Sequence, residues 1–189
     1  SEAERMPVAN GARGSTRNYL KTGTAASHDR LDTRLGALMT GDVRDYAAFL
    51  DIQYRARVGV EGWLAGTGTP PPCQSNLLAQ DISALGRAVP EDAPAFTPPA
   101  GSDALGVCWV LAGSSLGNRA ILARLKKNKV DWPVDFLSDM GMTTYWRSLL
   151  PALERPHSIA TDEAALQAAQ ATFSHFNAIV ADSLAREAA

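Results

Sequence analysis

The spacing of large apolar residues constrains this sequence more than any other feature. In every long segment they recur three or four residues apart, and no segment alternates convincingly with period two. The clearest case is the stretch 162–186, where Leu166, Ala169, Phe173, Phe176, Val180 and Leu184 form one stripe. Steps of three and four keep side chains on one face of a helix, whereas a half-buried strand requires alternation. Thr161-Asp162-Glu163, just before the stripe, supplies a cap and acidic groups that suit the positive end of the helix dipole.

The same period organises the rest of the chain. From 16 to 39, Leu20, Thr24, Ser27/His28, Leu31, Leu35 and Leu38 share a face, with Ser15 and Thr16 as candidate N-caps. Gly41-Asp42 interrupts this helix, and Asp42 can cap the next, whose stripe is Val43, Tyr46, Ala47, Leu50, Tyr54, Val58 and Trp63. That helix ends at the loop 66–72. A shorter one over 73–88 would bury Leu77, Leu78, Ile82 and Leu85. Pro90, Pro94, Pro98 and Pro99 make 89–101 a wrapping loop. Residues 102–127 read as one long helix with glycines inside it, followed by a loop at 128–134 and a helix over 135–150, with Pro151 near its end. Residues 1–14, with Gly11 and Gly14 and few large apolar groups, read as a flexible N-terminal tail, and 15–189 as a single domain. The expected fold is all-α, a bundle of about six helices.

Charge and cysteine content narrow the function classes. With 18 Lys+Arg against 20 Asp+Glu in 189 residues, the chain lacks the basic surplus that binding nucleic-acid phosphates needs. No uninterrupted apolar run reaches membrane-spanning length, and the first residues do not form a secretory signal. Cys73 and Cys108 form no C-x-x-C pair, which argues against a structural zinc site or a disulfide framework and suits a reducing cytoplasm.

Two constellations can carry chemistry. Lys21, His28 and Asp32 are spaced seven and then four residues apart, on one helical face. An imidazole facing a pocket can bind a metal through one nitrogen while a carboxylate one turn on accepts from the other, and Lys21 can reach an anionic group of a large ligand. Equally, His28 can be a core histidine bonded to Asp32, with Lys21 in solvent. The second constellation is Gly113-Ser114-Ser115-Leu116-Gly117. Two glycines four apart strip one helix face, so that backbone can approach a flat ligand, and Gly106 extends the small-residue face. Tight helix–helix packing would use the same pattern. The pentapeptide also matches G-x-S-x-G, which would make Ser115 a hydrolase nucleophile after a strand over 107–111, with His157 or His175 as base and Asp135 or Asp139 as its partner. Otherwise His157 reads as a solvated loop residue and His175 as a boundary residue of the last helix. The basic run from Arg124 to Lys129 reads as a solvated helix end or, alternatively, a docking surface for an acidic partner. Trp63, Trp109, Trp132 and Trp146 read as core or pocket lining.

Taken together, two segments resemble a known family. The segment from Leu20 through Lys21 and His28 to Asp32 is similar to the proximal helix of heme oxygenases, particularly the bacterial, biliverdin-producing type associated with phytochromes. The segment Gly106 to Arg119, with Gly113 and Gly117, is similar to their distal helix, and 45–50 and 171–173 also have the family's character. The resemblance runs from about 18 to 180 and implies an all-helical fold. It implies that His28 ligates heme iron, that Asp32 orients His28 and that Lys21 meets a heme propionate. Gly113 and Gly117 would bring distal backbone over the heme, and the hydroxyls of Ser114 or Ser115 would order distal water. The implied reaction cleaves heme to biliverdin, CO and iron, using O2 and electrons from an external donor such as ferredoxin or a reductase; a phytochrome is the implied biliverdin acceptor. Ala112 stands where bacterial members often have glutamate, and Asn118 where many have a second glycine. A non-catalytic heme- or bilin-binding protein on the same fold is the alternative.

Overall fold

Ser15 starts the first helix as its cap: its hydroxyl accepts the N–H of Asn18 at 3.1 Å, and α1 runs Thr16–Gly36. Asp42 does the same for α2, Val43–Leu64, accepting from the N–H of Arg44 at 2.8 Å. Then come α3, Ser75–Ala84, and α4, Ala104–Lys127, which is capped by Asp103. The last two helices are α5, Gly141–Glu154, and α6, Ile159–Ala188. A computed structural model describes residues 14–68 and 70–189, so the expected tail at 1–14 lies, apart from Gly14, outside the described residues. Among the described residues there is no β-strand, only an isolated bridge between Ser15 and Pro156.

The long last helix organises the bundle. α6 packs along α1, α4 and α2, while α3 packs on α2 and α5 on α4 and α1. One buried group of apolar side chains joins α2, α3, α4 and α6 around Phe49, Leu50, Val107, Leu111 and Phe176. A second, built on Leu20, Val110, Leu153, Ala165 and Phe173, ties α1 and α5 to α4 and α6. The proline-rich segment wraps as expected and buries Phe96 against Trp63 and His175. By length and hydropathy α4 is the one described helix apolar enough to cross a membrane; here it packs against α5 and α6, with Trp109 and Leu116 facing a cleft instead.

The expected helices over 16–39 and 73–88 are shorter, ending at Gly36 and spanning Ser75–Ala84, and three further boundaries depart from the sequence reading for a tertiary reason. Residues 135–140 are not the start of a helix. The buried Asp81 carboxylate of α3 accepts the N–H groups of Asp135 and Phe136, both at 2.9 Å, and holds this stretch in turns. α5 then continues through Pro151 to Glu154, because Leu153 is fully buried and anchors its last turn. α6 begins at Ile159, three residues before the expected start, because Asp162 reaches back to the N–H of Ser158 at 3.1 Å.

Asp162 is therefore no exposed ornament of a helix end. Fully buried, it accepts from Thr16 Oγ1 at 2.8 Å and Arg155 at 2.9 Å, and pairs with His157 Nδ1 at 2.8 Å. Burial opposes its ionisation, but the bonds from His157, Arg155, Thr16 and Ser158 outweigh that and hold the carboxyl well below the usual range. His157, expected in solvent, instead stacks on Tyr19 with ring centroids 4.0 Å apart.

Candidate functional site

α1 does not pack along α4; both are held by α6, and a cleft of about 410 Å³ opens between them. That volume lies within the range of small-molecule sites. The resemblance-derived residues converge here: Lys21, His28 and Asp32 line one wall, and Gly113, Ser114 and Gly117 line the other. Phe49, Gln53 and Arg57 of α2 contribute to the lining, as do Trp146 of α5 and Phe173 of α6.

The glycines of α4 separate into two kinds. A Cβ built on Gly106 would collide with the Ala165 carbonyl oxygen and lie 2.9 Å from Ala169 N, so Gly106 exists for the α4–α6 crossing. Gly113 and Gly117 meet nothing within 4 Å. Helix packing explains the first glycine and not the other two, which leave bare backbone facing the cleft. Interior glycines cost a helix about 1 kcal/mol each relative to Ala. Leu116 sits between them, 57% exposed, presenting apolar surface to the same space. A cradle of this kind, with aromatic and aliphatic walls, suits a large flat apolar ligand.

His28 is 58% exposed at its side chain, and its ring meets Phe173 edge-on at 5.7 Å. It is thus not a buried core histidine. No hydrogen bond joins it to Asp32; its Nδ1 lies 3.6 Å from Asp29 Oδ1 instead, beyond hydrogen-bond range. Asp32 lines the cleft one turn further on. Lys21 is exposed on the cleft, with Arg17 one turn earlier and stacked over Trp146 at 5.1 Å.

Beneath α4 lies a feature the sequence reading missed. Arg57 is only 1% exposed, with its guanidinium against the rings of Phe136 and Phe176. It donates to Gln53 Oε1 at 3.1 Å, Gln74 Oε1 at 2.7 Å and Ser114 Oγ at 2.8 Å. Gln74 passes the network on to Asp139 at 3.2 Å, and its N–H bonds Glu61. Burial pulls the Arg57 pKa down to about 10, opposed by Glu61 and Asp139, so it stays cationic at neutral pH. The expected stripe of α2 ran through Tyr54 and Val58, both only half-buried. Gln53 and Arg57 take the buried positions instead, and a polar pair four residues apart beside apolar neighbours was the available signal.

The hydrolase alternative has no structural basis here. Ser115 lies inside a helix, buried, with its hydroxyl donating to Ala112 O at 2.7 Å. His157 is bonded to Asp162, and His175 donates to the Ala56 carbonyl at 3.1 Å. Ala112 points into the core rather than the cleft, whereas Asn118 lines the cleft while only 6% exposed. Among the tryptophans, Trp109 and Trp146 line the cleft, and Trp63 and Trp132 pack on the core.

No family model matches the chain. A heme oxygenase of Xanthomonas campestris pv. campestris (strain 8004) is 33% identical over 154 residues, spanning 74% of this chain and 91% of that protein. The heme oxygenase of Neisseria meningitidis, solved with NO and CO bound, superposes with a TM-score of 0.73 at 19% identity. That match covers 90% of this chain and 92% of the other, and it establishes the fold. Sequence identity to the first of these, along nearly its whole length, shows that the chain belongs to the heme oxygenase family.

Proposed function

We propose that this chain binds heme in the cleft between α1 and α4 and opens its ring to biliverdin, carbon monoxide and iron, with O2 and electrons from an external donor. The observation that carries the proposal is the pair Gly113 and Gly117, interior glycines whose missing side chains leave open space above a cleft that His28 borders. Bound heme supplies the redox chemistry, with iron to activate dioxygen and the ring as the carbon that is oxidised. The protein binds, orients and confines.

In this reading His28 holds the iron through its imidazole, with Asp32 or Asp29 orienting the ring. Lys21 and Arg17 meet propionates at the cleft mouth. Phe173, Trp109 and Leu116 exclude water from the apolar faces. Backbone at Gly113 and Gly117, on the α4 wall of the cleft, would restrict where a small ligand can sit. Ferredoxin or a reductase delivers electrons, a phytochrome receives the biliverdin, and the two free thiols suit a cytoplasmic setting.

A hemin titration followed by ascorbate in air, with catalase present, tests the reading. The expected result is a saturable Soret band that decays into broad red absorption. A saturable band that persists unchanged would refute turnover, and no saturable band would refute the site. His28→Ala is expected to alter the optical spectrum of bound hemin; an unchanged spectrum would remove His28 as the ligand.

A further inference from the structure

An arginine can only donate hydrogen bonds, so every group it touches must turn an acceptor toward it. Arg57 donates to Gln53 Oε1, which leaves the Gln53 amide N–H2 as the group this cleft-lining side chain can offer the cleft. It also donates to Ser114 Oγ, whose single proton is already committed to Leu111 O at 2.7 Å. Ser114 can therefore offer the cleft a lone pair and no proton, so any water it orders must donate to it. Ser115, the other expected hydroxyl, is likewise committed to its own helix.

We infer that Arg57 is a positioning residue that sets the polarity of the cleft floor, fixing Gln53 as a donor and Ser114 as an acceptor toward whatever small ligand or water enters beneath α4. The inference deepens the heme reading and rests on it for its catalytic meaning, though not for its geometry. The guanidinium is itself held on its far side. Gln74 presents its oxygen to Arg57 and its amide to Asp139, so the plane of Arg57 is set from behind. Without Arg57 nothing dictates which end of the Gln53 amide faces the cleft, and a flipped amide would present an acceptor beside the acceptor of Ser114. A polar ligand in the cleft would then lose its ordered hydrogen-bond donor.

Two readouts test this. In the heme-free protein, the Gln53 side-chain amide pair is observed by NMR and assigned by its loss in Gln53→Met. Arg57→Met is expected to move or double that pair. In the reduced, hemin-loaded protein under carbon monoxide, the C–O stretch senses a nearby N–H donor. Arg57→Met is expected to shift and broaden it while hemin affinity changes by less than about tenfold. Arg57→Lys serves if Arg57→Met does not fold; its ammonium keeps the charge but cannot hold three acceptors in a plane, so the amide pair moves in that variant too. An amide pair and C–O stretch at their wild-type positions in a folded variant would overturn the inference and leave Arg57 a packing element. If the wild-type protein fails to bind hemin, the heme reading falls, and the heme-free amide measurement still decides the role of Arg57.

Discussion

Alanine at the three glycines of α4 should give stability changes of opposite sign. At Gly113 and Gly117 a methyl group meets nothing within 4 Å, so the helix gains propensity without a clash. Each Gly→Ala change should stabilise the heme-free protein by about 1 kcal/mol, raising Tm by roughly 2–4 °C for a chain of this size. At Gly106 the same methyl presses on the backbone of α6, at Ala165 O and Ala169 N, and no rotamer change relieves backbone. Overpacking of this kind costs about 1–3 kcal/mol or more, which exceeds the propensity gain. Gly106→Ala should therefore melt lower than wild type, and the double variant Gly113→Ala/Gly117→Ala higher. If the open glycines serve a ligand, the stabilised double variant should also bind hemin less tightly, since its two methyls enter the cleft. Thermal melts of the heme-free variants and Soret titrations measure both quantities. A double variant that melts as low as Gly106→Ala would mean that Gly113 and Gly117 pack against protein, and the reasoning from open space would fail.

Asp162→Asn should destabilise the protein by about 3–5 kcal/mol, since it removes the charge from a buried carboxylate that His157 and Arg155 pair. Because the folded pKa of Asp162 is lowered from 3.8, its contribution is present above about pH 4 and lost as pH falls below that; urea melts between about pH 6 and pH 3 should show this loss in wild type and not in Asp162→Asn. Lys129 ends α4 at φ 55°, in a Schellman arrangement with Val130 N–H bonded to Leu125 O at 3.3 Å. Lys129→Gly should raise stability by about 1 kcal/mol, and a lower Tm would refute that reading. Arg17→Gln and Lys21→Gln should each weaken hemin binding by up to about fivefold at low salt, with less effect at high salt; salt-independent losses would place the propionates elsewhere.

Helix identity was legible because it is local. Apolar residues three and four apart, with Ser15 and Asp42 at the breaks, specify six helices without reference to anything distant. The α1 and α4 residues of the candidate site were legible for a related reason, since each set shares one helix face and its pattern matched a known family. Chain ends of helices were less so. The start of α5 depends on Asp81 from another helix, and α6 starts early because Asp162, itself held by Thr16 of α1, reaches back to the N–H of Ser158. Arg57 and Gln53 escaped because hydropathy counts them as surface residues; only the acceptors gathered around them by α3 and α4 make their burial tolerable. The glycines show the division most directly. Sequence alone lists Gly106, Gly113 and Gly117 as one small-residue face. Only the placement of α6 separates a helix crossing from an open cleft, because what a missing side chain leaves room for depends on what the rest of the fold brings opposite it.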